Sequence, residues 1–278
     1  ESTPVKVEDA LKLNIEEKEL VFFKKIGQGA CGEVCQYEWK GTPVAVKTIF
    51  KSLLRKDKKE EFDKEVEILK CLRHPNVVLF MGTCLLNGNL SIITEYLDRG
   101  SLRDVLDTTS PNELSLNIKI KMLIDITQGM NYLHTYNPSI IHRDLKTLNL
   151  LVDTNYNVKV SDFGLSRFIS GIGSSAKTFC GTLSWIAPEV FAGRGYTTKV
   201  DVYSFGIVLW EIITHKQPSG NMAQTISGYP EIPSNINCHP FFSELIKECC
   251  NKNPDLRPTF SQILQKLKII SSSVNNPN

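Results

Sequence analysis

Between Ile140 and Val152 the chain reads IIHRDLKTLNLLV, which sets His142, Arg143, Asp144, Lys146 and Asn149 between two apolar runs. Apolar runs this short tend to bury themselves as strands, so the polar groups sit at the edge of a core. Two explanations compete. One is a tight turn in which Asp144 bonds backbone amides. The other is chemistry that needs a carboxylate, a cation and an amide at fixed distances on rigid walls, with the carboxylate handling a proton and the cation offsetting negative charge.

Two further stretches could contribute to the same chemistry. GQGACGEV carries Gly27, Gly29, Gly32 and Val34 in a G-x-G-x-x-G-x-V pattern. A dinucleotide fingerprint should open a helix, yet EVCQYEW continues as a strand. No G-K-[ST] follows, so it is not a Walker A loop. A glycine-rich hairpin over nucleotide phosphates and a plain β-turn both remain open. VAVK then ends an apolar strand on Lys47, an ammonium that must reach water or meet an anion. Glu65, beside the apolar stripe of the following helix, could pair with it; two unrelated surface charges are the alternative.

The elements that must position these groups fall into two sets. From Leu20 to Phe50 the chain alternates β-branched and aromatic residues, with turns at the glycines and at KGTP. A helix with Phe62, Val66, Leu69 and Leu72 at helical spacing follows. NVVLFMGTCL and LSIITEYL read as two more strands joined by NGN. Beyond Ser101 the pattern becomes helical. NIKIKMLIDITQGMNYLH places Ile120, Leu123, Ile124, Met130 and Leu133 near one face, TKVDVYSFGIVLWEIIT is apolar nearly all round, and TFSQILQKLKII ends the fold. A strand-rich lobe thus precedes a helical one, and a cleft between lobes is a natural ligand site. There is no internal repeat.

Bulk composition excludes several classes. The 278 residues are 41% hydrophobic and 22% charged, an ordinary globular balance, and the formal net charge of +2 is too small to argue for nucleic acid or an anionic membrane as partner. KSLLRKDKKEEFDKE mixes both signs, as a solvated helix face does. Eight cysteines without CxxC pairs fit a reduced intracellular protein better than a disulfide scaffold. No secretory h-region opens the chain, and the most apolar helix is interrupted by Asp201 and Glu211 and is too short to span a bilayer comfortably. The chain does not begin with Met, as expected of a domain cut from a longer protein.

HRDLKTLN, DFG at Asp162–Gly164, APE at Ala187–Glu189, the glycine pattern and VAVK occur in one order along residues 20–270. Together they resemble the signature set of eukaryotic protein kinases. The resemblance implies an α+β, bilobal protein kinase fold: a small β-rich N-lobe with one regulatory helix and a larger α-helical C-lobe. Its expected boundaries are an extension at 1–19, N-lobe at 20–94, hinge at 95–98, C-lobe at 99–271 and a disordered tail at 272–278. The implied cofactors are ATP and Mg²⁺, and the implied activity is transfer of the γ-phosphate to protein hydroxyls.

By the same resemblance Asp144 orients or accepts the proton of the attacking hydroxyl, and Lys146 steadies the γ-phosphate. Asn149 and Asp162 supply oxygen ligands to Mg²⁺, and Lys47, held by Glu65, grips the α- and β-phosphates under Gly27, Gly29 and Gly32. Adenine is implied to lie between Val34, Ala45 and Leu151, with Thr94 as gatekeeper and Glu95 and Leu97 offering a carbonyl and an amide. Asp201 is expected to bond catalytic-loop amides, and Glu189 to pair with Arg257. Lys146 and GTLSWIAPE resemble serine/threonine kinases. HPNVVLFMGTC, YEWKGTPVAVK and Trp185 resemble the tyrosine-kinase-like group, which includes Raf-like and mixed-lineage kinases.

Arg143 before Asp144 implies control by activation-loop phosphorylation, with Thr178 the leading site, Ser174 and Ser175 behind it, and Arg143 and Arg167 to pair with the phosphate. Two departures stand out: Cys31 at the tip of the glycine loop, and a segment after Pro218 several residues short of the usual helix. The reading carries a cytoplasmic location, a protein substrate, further domains outside this chain, and a dimer left open. A scaffold with the same fold is the main rival; Lys47, Glu65, Asp144, Asn149 and Asp162 are all present against it. A small-molecule phosphotransferase is the second, opposed by GTLSWIAPE.

Overall fold

The computed structural model describes residues 14–29, 32–49, 66–111, 113–162, 183–193, 197–218, 230–236 and 238–275. The chain divides into two compact units, one of residues 1–73 and 78–96, the other of residues 74–77 and 97–278.

The first unit is built on an antiparallel sheet of β1 (Leu20–Gly29), β2 (Gly32–Trp39), β3 (Thr42–Ile49), β4 (Phe80–Leu86) and β5 (Asn89–Glu95), in the order β1-β2-β3-β5-β4. Its tight turns follow from sequence. Lys40–Gly41 and Asn87–Gly88 have φ of 50° and 81°, and of 48° and 74°, the left-handed pair that a two-residue hairpin requires. Helix α1 is described over 66–71. Expected strand NVVLFMGTCL begins only at Phe80, because residues 74–77 pack with the second unit: Asn76 O accepts from Val160 N at 2.9 Å, Asn76 Nδ2 donates to Val158 O at 3.1 Å, and His74 stacks on Tyr132.

One sheet face is filled by Val44, Val46, Cys84, Leu86 and Ile93, and Ile15 plugs into this cluster from outside β1. Asn14 bridges Thr83 in parallel, and Ile15 N donates to Thr83 O at 2.8 Å, on the outer strand β4. Residues 14–19 therefore belong to the body of the unit and not to an extension outside it.

The second unit is helical: α2 (Leu102–Thr108), α3 (Leu116–Thr135), α4 (Pro188–Phe191), α5 (Lys199–Thr214), α6 (Pro240–Cys249) and α7 (Phe260–Asn275), with a small β6 (Leu150–Val152)–β7 (Val158–Val160) ribbon. Every residue of α5 from Val200 to Thr214 is buried, as expected of a helix apolar all round. On α3, Ile120, Leu123, Met130 and Leu133 are buried as expected, but Ile124 is only half-buried and Met122 and Ile126 take its place. Helix α7 corrects the expected tail: it continues to Asn275, with the Ser272 and Ser273 hydroxyls bonded back to Lys268 O and Ile270 O at 3.0 and 2.9 Å. Residues after Asn275 and the short segment following Pro218 lie outside the described residues.

Candidate active site

The loop of residues 142–149 is held from beneath by α5. Asp201, fully buried, accepts His142 N on Oδ2 and Arg143 N on Oδ1, both at 2.8 Å, and His134 Nε2 donates to Oδ2 at 2.8 Å. These bonds satisfy a carboxylate that would otherwise be costly to bury, and they hold Arg143 at φ 68°, a left-handed backbone that non-glycine residues rarely adopt. His142 is also fully buried; its Nδ1 accepts Asp144 N at 3.3 Å, so Nε2 carries the hydrogen and donates to Ser161 O at 2.9 Å. With both ring nitrogens engaged, His142 is a packed strut and not a base.

Asp144 stays partly accessible, its side chain 28% exposed. Lys146 Nζ lies 3.0 Å from its Oδ1 and 2.8 Å from its Oδ2. Asn149 Nδ2 donates to Asp144 O and to Oδ2, each at 2.8 Å. The single 3-10 turn Thr147–Asn149 brings Lys146 and Asn149 back onto that carboxylate. The ribbon then returns the chain: Leu150 pairs with Val160, and Ser161 N and Oγ both bond Asn149 O at 2.9 Å. Asp162 follows at φ 56°, a second strained position beside the first. The group combines a reachable carboxylate, an ammonium and an amide, which can orient a hydroxyl and offset anionic charge.

In the first unit, register sorts the expected nucleotide-contacting residues. Val34 is opposite Lys47, Lys47 is opposite Ile92, and Ala45 is opposite Thr94. Directly opposed residues share a face and neighbours alternate, so Val34, Ala45, Lys47 and Thr94 occupy one face, with the Ile15 cluster on the other. Gly27 pairs with Val34 and Gly29 with Gly32. A Cβ on Gly32 would collide with the carbonyl of Thr48, so this glycine is required by cross-strand approach whatever else the hairpin does. Glu95 N donates to Leu79 O at 3.1 Å and Glu95 Oε1 accepts Leu79 N at 2.7 Å; any backbone contact from Glu95 to a base must use its carbonyl. In the second unit Leu97 is buried, and half-buried Leu151 lies in β6, bridged to Ser101.

Arg257 and Glu189 form a two-pronged pair at 2.7 and 2.8 Å, with Arg257 fully buried and bonded also to Asn251 O and Lys199 O at 2.7 and 2.9 Å. Glu65, Arg167, Thr178, Ser174, Ser175 and Cys31 lie outside the described residues, as do Phe163 and Gly164.

Sequence reasoning noted Glu211 only as an interruption of an apolar run. Its carboxylate is fully buried and collects Thr147 Oγ1 at 2.8 Å, Trp185 Nε1 at 2.8 Å and Arg103 NH1 at 3.3 Å. Burial pushes its pKa up to about 7 against the pull of Trp185, Thr147 and Arg103. The available signal was a Glu within a helix apolar on every side, which must find donors somewhere.

The family model for protein tyrosine and serine/threonine kinases matches residues 20–267, and the chain belongs to that family. A probable serine/threonine-protein kinase of Dictyostelium discoideum is 80% identical over 99% of the chain, which covers 27% of that relative. The serine/threonine-protein kinase CTR1 of Arabidopsis thaliana is 45% identical over 96% of the chain, covering 32% of the relative. The chain thus spans about a quarter to a third of the length of these curated relatives.

Proposed function

We propose that this domain transfers the γ-phosphate of ATP to serine or threonine hydroxyls of protein substrates. The observation that carries the reading is the convergence of Lys146 and Asn149 on the Asp144 carboxylate. Asp144 orients the acceptor hydroxyl and takes up its proton, while Lys146 offsets charge on the transferred group. The donor set suits Mg²⁺: the Asn149 amide nitrogen is committed to Asp144, which leaves its oxygen as the cation-binding atom beside Asp162, and hard oxygens are what Mg²⁺ prefers. When bound, Mg²⁺ neutralises phosphate charge. Lys47, with Glu65 as its counter-ion, holds the α- and β-phosphates under Gly27, Gly29 and Gly32. Val34, Ala45 and Leu151 sandwich the adenine; Thr94, the Glu95 carbonyl and the Leu97 amide set its edge.

The same reading makes this a signalling kinase of the tyrosine-kinase-like group, switched by phosphate on Thr178 that Arg143 and Arg167 receive. Free thiols at Cys35, Cys71, Cys84, Cys238, Cys249 and Cys250 support a reducing, cytoplasmic setting. Among the described residues no helix is long and apolar enough to cross a membrane. Incubation with Mg-ATP followed by intact mass tests the reading. The wild-type domain should gain phosphate, and Asp144→Asn should lose at least about a hundredfold in rate while still binding ATP. Equal phosphate gain by both proteins would overturn it. Peptide mapping should place a phosphate on Thr178, and Thr178→Ala with undiminished activity would remove that residue from the scheme.

A further inference from the structure

One carboxylate deep in the second unit ties together three segments that are far apart in sequence. Glu211, from the central helix α5, receives the Thr147 hydroxyl on Oε1 and the Trp185 indole N–H on Oε2, both at 2.8 Å. Thr147 begins the 3-10 turn whose neighbours Lys146 and Asn149 bond Asp144. Trp185 closes the turn Leu183–Trp185 just ahead of Ala187-Pro188-Glu189, and its carbonyl accepts the Ser204 hydroxyl of α5 at 2.7 Å. The third donor is Arg103 of α2, itself nearly fully buried, whose guanidinium also reaches His215 O at 3.2 Å, Lys216 O at 3.4 Å and Asp107 Oδ1 at 2.7 Å.

We infer that Glu211 is a positioning residue for phosphoryl transfer: through Thr147 it fixes the turn that presents Lys146 and Asn149 to Asp144, and through Trp185 it locks the segment before Ala187 to the same atom group. This rests on the kinase reading above. Asp201 holds the loop by backbone amides at His142 and Arg143, but among the bonds described for Thr147, Leu148 and Lys146 only the Thr147 hydroxyl reaches α5 by a side chain. A carboxylate suits this place because it offers several lone pairs to three donors, one of them a cation. An amide at 211 would present an NH₂ group to at least one of those donors, and leaving a buried donor unpaired is expensive.

The test uses Thr147→Val, which removes the hydroxyl at nearly constant volume, with Thr147→Ser as rescue and Glu211→Gln as the stronger lesion. With myelin basic protein as acceptor, Thr147→Val should lower kcat about tenfold while KM for ATP stays within about twofold. Thr147→Ser should restore kcat. In ¹⁵N spectra the Trp185 indole resonance, assigned with Trp185→Phe, should move in Thr147→Val, because the bonds described for the two side chains join them through Glu211. Wild-type kcat in Thr147→Val, or a loss that Ser does not restore, overturns the inference. So does a loss carried by KM for ATP. A wild-type domain that transfers no phosphate would overturn the kinase reading instead, and an unmoved indole resonance would still refute the coupling on its own.

Discussion

At the scale of single residues, burial without water makes a few side chains disproportionately consequential. Removing one partner of the Glu189–Arg257 pair leaves the other charge buried, and Glu189→Ala should cost about 3–5 kcal/mol, read as a lower urea midpoint. Glu211 has a pH signature of its own. Its pKa rises from 4.5 to about 7 on folding, so between those values the folded state holds more protons than the unfolded one. The contribution of this group to stability is then full below about pH 4.5 and is lost as pH rises through about 7. Urea titrations should show wild type losing stability relative to Glu211→Gln across that window. Asp201 and Glu211 differ in how they could be read in advance. The resemblance assigns Asp201 its amides, whereas donors from α2, from the Thr147 hydroxyl and from the Trp185 indole are brought to Glu211 only by tertiary packing.

At the scale of elements, local chemistry was legible and long-range pairing was not. KGTP and NGN announced their turns because few residues take left-handed backbone, and Gly88→Ala, at φ 74°, should cost about 1 kcal/mol in thermal unfolding. Gly32→Ala should do more local harm, since its Cβ meets the Thr48 carbonyl; a raised KM for ATP with a lower Tm is the expected result. The late start of β4 could not be seen in NVVLFMGTCL, whose apolar run is continuous. What ends the strand is Asn76, bonded to β7 more than eighty residues away. Helix α7 runs past its apolar pattern through Ser272 and Ser273, whose hydroxyls bond back to the helix, although serines in a run tend to compete with helix and so gave no sign of it.

At the scale of the whole molecule, two units of different construction share one chain, and residues 74–77 are lent by the first stretch of sequence to the second unit. The other such assignment of chain to body is at the start. Ile15 sits 5% exposed in the cluster with Val44 and Val46 of β3, and Ile15→Ala should cost about 2–5 kcal/mol. A chain begun at Leu20 should melt lower and scatter more light as concentration rises, because β4 then offers an open edge. Val44 and Val46 alternate along β3 with Ala45 and Lys47. Tension applied at Asn14 would therefore be felt on the strand that carries Lys47, the residue proposed to hold phosphates, making Asn14 and Ile15 a handle on that strand.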